Sequence, residues 1–312
     1  IDCPDLPLNV SRSALQNDGF VNKISEYISK KVADKLSGMC KTKREDYEKY
    51  WDDISPFIKF GCLKDEKFCD KMKDAVLFKN LDHKYLTLKD CIEQNKKVNT
   101  EEKAEDTEKK DETKEPEKTT IFYVTDAVQQ SQYINMFREA GKNAVILSHN
   151  IDTTFISHLE QKDQTIQFKR IDADVTEELK GEDAADEETA KTLFRKSLGM
   201  DKLEVKVENL KNESVAAMMT LSEESRRMQD MMKMYNMYGM DPSMFGANGQ
   251  TLVLNANNDL VKYIVDHKDG ENTPVFCEQL YDLALLSHAP LTPEQMTNFI
   301  ARSNKIMELL AK

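Results

Sequence analysis

Apolar positions in the first part of the chain recur at helical intervals. Val21, Ile24, Ile28, Val32 and Leu36 are three and four apart, so they fall on one face of a helix. Tyr47, Trp51, Ile54 and Ile58 predict a second helix from Asp46 to Phe60, ended by Gly61. Met72, Ala75, Val76 and Phe78 predict a short third helix, and the run from Thr87 to Asp90 has the spacing of a capping box opening a fourth. Residues 97–119 break the pattern. Lys, Glu, Asp and Thr dominate there and apolar residues nearly vanish, so the segment cannot bury enough surface to offset its ordering entropy. It reads as a charged flexible insertion or a solvated extension of the preceding helix.

Order is expected to return at Ile121–Thr125, a short run of β-formers. A helix carrying Ala127, Tyr133, Ile134, Phe137 and Ala140 follows, capped by Gly141, and Ala144–Leu147 is the next strand. Strand, helix and strand with short loops predict a βαβ unit with a parallel pair. A helix over Ile151–Leu159 and a strand over Thr165–Ile171 complete a small three-layer α/β domain, and an acidic stretch leads into a connecting helix ending at Leu198. Beyond Met200, Leu203, Val205 and Val207 alternate with charged residues as in a half-buried strand, and Ala216–Thr220 and Thr251–Leu254 are further strands. Two helices close the chain, Pro274–Ser287 and Pro293–Leu310. The resulting expectation is a multidomain α+β and α/β chain. Residues 1–96 form a helical part, 97–119 the insertion, 120–198 the small α/β sandwich, and 199–312 an α+β domain ending in a helical hairpin.

Composition narrows the function. The chain has 312 residues and a formal net charge of −12, which argues against nucleic acid and anionic membrane surfaces as partners, because phosphate contacts need clustered Lys and Arg. No run approaches the roughly 20 apolar residues of a spanning helix, and no secretory leader opens the chain. The start at Ile1, without Met and with two early prolines, reads as the middle of a longer segment. Six scattered cysteines predict free, mostly buried thiols in a reducing compartment. Cys62 and Cys69 fit no usual zinc spacing, and His149 and His158 lack a third ligand, so no metal is expected.

Neither turn of the βαβ unit contains the glycine-rich loop that a bound phosphate needs, and no GxSxG elbow occurs. The chain alone therefore reads as no enzyme and as needing no cofactor. Three features stand out instead. Arg12 and Gln16, four apart after the stiff segment Leu6–Ser11, project from one side of a helix start, where a guanidinium suits phosphate oxygens but also suits plain solvent exposure. Nine of the fifteen methionines lie between Met218 and Met244. Met228, Met231, Met232 and Tyr235 form a stripe fit either for core packing or for an adaptable exposed face. In the final hairpin, Phe276, Leu280 and Leu283 on one helix and Met296, Phe299, Ile300, Met307 and Leu310 on the other give more apolar width than two helices can cover. They pack on this chain's own sheet or complete a four-helix bundle with a second copy.

In this order, these features resemble the ninety-kilodalton heat-shock chaperone family in its bacterial form. Asp5–Arg12 resembles the family's catalytic-loop signature, Ile121–Thr125 and Ala144–Ser148 its second α/β unit, and Leu280–Leu286 its dimerisation helix. The resemblance implies a piece of an ATP-dependent chaperone, covering the later middle domain and the C-terminal dimerisation domain. Arg12 would reach the ATP γ-phosphate held with Mg by the protein's own N-terminal domain, assisted by Gln16. The stripe Met228–Tyr235 would contact client proteins, joined by Phe155 where the family often has tryptophan. The final helices would hold a homodimer. Ser13 stands where the family usually has an acidic residue. No helper-recognition peptide follows Lys312, which favours a cytoplasmic bacterial protein. The alternative is a dimeric scaffold or peptide-binding module without chaperone activity.

Overall fold

The computed structural model describes residues 19–102, 118–173, 187–222, 250–287 and 291–311, with side chains for all of these except residues 20, 96–102 and 187. They group into two compact units. One takes residues up to 79 with 83–119 and 154–166; the other takes 80–82, 120–153 and 167 onward. Helices and two small sheets are mixed along the chain, as the expected α+β class requires.

The first unit opens with α1 (Gly19–Thr42), α2 (Arg44–Lys64) and α3 (Glu66–Met72). The α2 stripe read from the sequence faces inward: Tyr47, Trp51 and Ile58 are buried with Phe68 and Met72 of α3, whereas on α1 Val21, Ile24, Ile28 and Leu36 are half-buried and Val32 is exposed. The buried Tyr47 hydroxyl donates to the Ala75 carbonyl at 2.9 Å, which satisfies a group whose desolvation would otherwise be costly. Gly61 does not end α2, as expected from its type; the helix runs on to Lys64. A Cβ at Gly61 would lie 2.8 Å from the Phe68 ring, so the glycine serves the close approach of α3 rather than a turn. Asp65 alone links the two helices, and its side chain caps α3 by accepting from the Phe68 N–H at 3.2 Å.

The expected third helix through Phe78 is also corrected. It stops at Met72, and Leu77–Asn80 is a strand, β1, antiparallel to β2 (Tyr85–Thr87) with Phe78 opposite Leu86. A short apolar run fits helix and strand equally by pattern, and the pairing partner decided it. The capping box forms as read. Asp90 Oδ2 accepts from the Thr87 N–H at 2.8 Å, the Asp90 N–H donates to Thr87 Oγ1 at 3.2 Å, and α4 (Leu88–Glu102) follows. The charged segment thus begins as a helical extension through Glu102, and residues 103–117 lie outside the described residues.

In the second unit, β3 (Thr119–Val124), α5 (Ser131–Glu139) and β4 (Val145–Ile146) make the anticipated βαβ arrangement. The strands are parallel, with Tyr123 opposite Val145. Gly141, at φ +68°, lets the chain leave α5, and its N–H and that of Lys142 satisfy the Arg138 and Phe137 carbonyls. α6 (Ile151–Lys162) follows, its residues from 154 on belonging to the first unit, and β5 (Ile166–Arg170) lies beside β3, giving the order β4-β3-β5. Phe122, Val124, Tyr133, Ile134 and Phe137 form the core here. Then come α7 (Glu187–Leu198), β6 (Glu204–Glu208), β7 (Ala217–Leu221) and β8 (Gln250–Asn255), in a second sheet ordered β6-β8-β7. The central β8 runs parallel to β6 and antiparallel to β7. A helix not foreseen, α8 (Asp259–Asp266), follows, capped by Asn258. The chain ends in α9 (Thr273–Leu286) and α10 (Pro293–Leu310). Among the described residues no helix is long and apolar enough to cross a membrane.

Asn255 ties the loops of this sheet together. It is fully buried, accepts from the Leu210 and Asn257 N–H groups at 3.0 Å each, and donates to the Asn212 and Val215 carbonyls at 2.9 and 2.8 Å. Asn255→Ala strands four backbone groups at about 1–3 kcal/mol each where water cannot replace the amide. Urea unfolding followed by circular dichroism should show a loss of about 3 kcal/mol or more for this variant.

Candidate functional site

The C-terminal helix pair is built from two unlike faces. One side of α9 is fixed to its own unit: Cys277, Leu280 and Ala284 are buried against β6, β7 and β8 residues such as Val205, Met219 and Leu252. Phe276 is half-buried in the same direction, edge-on to Tyr263 with ring centres 6.0 Å apart. Phe276 and Leu280, expected on the pairing face, therefore serve mainly the internal core. Leu283 points the other way and is exposed.

The second helix, α10, starts as the sequence predicts. Thr292 Oγ1 accepts from the Gln295 N–H at 3.3 Å, Gln295 Oε1 accepts from the Thr292 N–H at 3.0 Å, and Pro293 fills the first turn. None of its 18 residues is buried. Its half-buried residues include Phe299, Arg302, Ser303 and Ile306. Polar contacts hold that side to α9: Arg302 donates to Glu278 at 2.9 Å and to buried Asp282 at 2.7 Å, and Gln279 donates to Ser303 at 3.0 Å. The adjacent face carries Met296, Ile300, Met307 and Leu310, spaced four, seven and three apart. Ile300, Met307 and Leu310 are 53%, 59% and 83% exposed. That spacing keeps the four in a seam on one face of the helix, interrupted by Ser303, in the manner by which one helix packs along another.

The remaining expected site residues fall elsewhere. Arg12, Gln16, Met228, Met231, Met232 and Tyr235 lie outside the described residues. Phe155, expected on a client-facing surface, is instead 1% exposed in the first unit, with Lys59 Nζ 6.0 Å from its ring centre. Its stem on α6 turns it inward, so it offers nothing to a partner.

The βαβ turn can be tested as a phosphate site. Helix N-termini bind anions through free N–H groups. Here the Thr125 and Asp126 N–H groups donate to Gln130 Oε1 at 2.9 and 3.0 Å, and those of Val128 and Gln129 donate to Asp126 Oδ1 at 2.9 and 3.0 Å. The donors are consumed internally, so these residues do not fit a nucleotide phosphate. Among the described residues no group of three or more His, Cys, Asp or Glu is placed to hold a metal ion.

Residues 1–312 match the family model described as Hsp90 protein. The chain is 34% identical over 288 residues to the chaperone protein HtpG of Bacteroides thetaiotaomicron, covering 88% of this chain and 40% of that relative. It is 35% identical over 286 residues to the HtpG of Bacteroides fragilis strain YCH46, covering 87% and 39%. It is 26% identical over 329 aligned positions to the HtpG of Pseudoalteromonas translucida, covering 100% and 48%. The chain thus spans less than half the length of these curated relatives.

Arg302 was not legible as a site residue, because its partners Glu278 and Asp282 lie 24 and 20 positions away. Arg302→Met leaves the buried Asp282 carboxylate without its cation, which costs about 3 kcal/mol or more. Hydrogen exchange read by mass spectrometry should show α10 losing protection while β6, β7 and β8 keep theirs.

Proposed function

Because the chain belongs to the Hsp90 protein family, we propose that it supplies the pairing and client-contacting portion of an ATP-driven molecular chaperone that works as a homodimer. The observation that carries the reading is the seam on α10. An isolated helix of this length is marginal in water, and helices in proteins owe their stability to a buried face. With none of its residues buried, α10 gains that face when the seam and Leu283 meet the same surface of a second copy. The result is a four-helix bundle with two-fold symmetry.

The other roles follow from the family. Arg12, with Gln16 beside it, donates charge to the phosphate of ATP held, with magnesium, by a separate nucleotide domain of the longer protein. A guanidinium delivered across domains in this way stabilises the charge that develops on the transferred phosphoryl group. The consumed donors of the βαβ turn support placing the nucleotide outside this portion. The stripe Met228, Met231, Met232 and Tyr235 meets partly folded clients, its thioethers adapting to varied apolar shapes. Phe155 is not part of that surface. The bacterial relatives and the free thiols support action in a bacterial cytoplasm.

Light scattering at micromolar concentration tests the pairing. The unaltered chain should give twice the monomer mass, and the double variant Ile300→Asp, Met307→Asp should give the monomer mass with circular dichroism that loses no more than the helix signal of α10. A monomer in both cases removes the homodimer, and a dimer in both moves the interface elsewhere. In the full-length protein, Arg12→Ala should slow ATP turnover by roughly tenfold or more without altering the dimer mass. Unchanged turnover removes the role assigned to Arg12.

A further inference from the structure

Five described cysteines, Cys40, Cys62, Cys69, Cys91 and Cys277, are free and buried. Two of them are not like the others. Cys62 lies in the last turn of α2 and Cys69 in α3, and the single linking residue Asp65 folds the second helix back on the first. Gly61 allows the approach, since any side chain there would strike the Phe68 ring. The two thiols lie close enough for each to shift the titration of the other, Cys69 down and Cys62 up. On the far side, α6 places His158 Nε2 3.8 Å from Cys69 Sγ. One turn further along α6, Lys162 sits near Cys69, held by Asp70 at 3.2 Å and Glu66 at 3.4 Å. All these residues belong to the first unit.

We propose that Cys69 and Cys62 are a peroxide-sensitive dithiol, with Cys69 the attacking sulfur and Cys62 the resolving one, closing to a disulfide that joins the end of α2 to α3. Two conditions make a cysteine reactive, thiolate character and access. The interaction with Cys62, then the contact with His158 and the charge of Lys162, draw the Cys69 thiol below its ordinary range, although burial acts to raise it. By the same interaction, and by its own burial, Cys62 is pushed up, with the Asp65 carboxylate adding to the shift. His158 lies beside Cys69, and this contact gives the two sulfurs different roles. The other buried thiols have no such partner pair: burial pushes Cys91 up to about 12 and Cys277 up to about 11. Access sets the size of the oxidant. Cys69 is 4% exposed, beside half-buried His158 and exposed Lys162, so a small uncharged hydroperoxide suits it and a bulky disulfide does not.

The chemistry balances without any further reagent. The Cys69 thiolate attacks one peroxide oxygen. An S–O bond forms, the O–O bond breaks, and the leaving oxygen departs as water or an alcohol after taking a proton. Cys69 is then a sulfenic acid, oxidised by two electrons. Cys62 attacks that sulfur, the S–S bond forms, the S–O bond breaks, and the Cys62 proton leaves with the hydroxide as a second water. Closure brings the sulfurs to about 2.05 Å, a local movement of a helix end joined by one residue.

Trypsin gives a direct readout, because Lys59, Lys64, Lys67 and Lys71 divide the region into separate peptides, with Cys62 in residues 60–64 and Cys69 in residues 68–71. After brief treatment of the native 312-residue chain with hydrogen peroxide at pH 7, mass spectrometry should find these two peptides linked. Formation should be roughly tenfold or more faster than any oxidation of Cys91 or Cys277, and dithiothreitol should reverse it. Cys62→Ser should abolish the link and leave Cys69 as a sulfenic acid trapped by dimedone; Cys69→Ser should abolish both. Lys162→Met should slow the reaction several-fold with unchanged circular dichroism. The proposal is overturned if no linked peptide forms, or if Cys91 and Cys277 oxidise as fast in the same sample. The comparison within one folded chain needs no variant.

Discussion

Arg302 fixes α10 to α9 through Glu278 and Asp282, and it does so for a helix none of whose residues is buried. The hairpin therefore has an unusual division. Its polar side is specified by a charged fork with a fixed direction, which sets where α10 lies. Among the described residues, Met296, Ile300, Met307 and Leu310 on its apolar side stay exposed. Direction comes from the arginine. The proposed second copy would draw on that exposed surface, at about 1.5–3 kcal/mol for each large apolar side chain fully covered.

Much of the fold was legible because its elements carry strong periodicity or strong punctuation. The inward stripe of α2, the capping boxes at Thr87 and Thr292, and Gly141 at positive φ all act within a few residues of themselves. Misreadings arose where a distant residue decided a local question. Gly61 looked like a helix end, yet it is there because the Phe68 ring needs the space. Phe78 fitted a helical stripe, yet Leu86 across the hairpin drew it into a strand. The short helix α8 was not foreseen: it has eight residues, of which only Val261 and Ile264 are buried, and Asn258 caps its start.

The candidate site divides along the same line. The seam of α10 was visible as spacing in the sequence, but the inward turn of Leu280 and the burial of Phe155 were not, since both depend on what packs beside them. The contact between Cys69 and His158 spans 89 positions and left no trace in any local pattern. Arg12, Gln16 and the methionine stripe lie outside the described residues, so their roles rest on the sequence and the family.

The βαβ unit shows why fold and activity have to be argued separately. Its parallel strands and crossover helix are the layout on which phosphate sites are often built, at the turn leading into the helix. In this chain Gln130 and Asp126 reach back into that turn and occupy the N–H groups that an anion would need. The same bonds that make the turn rigid make it useless as an anion cradle. Among the described residues of the second unit, the exposed apolar side chains of α10 are the surface that the proposed association would use.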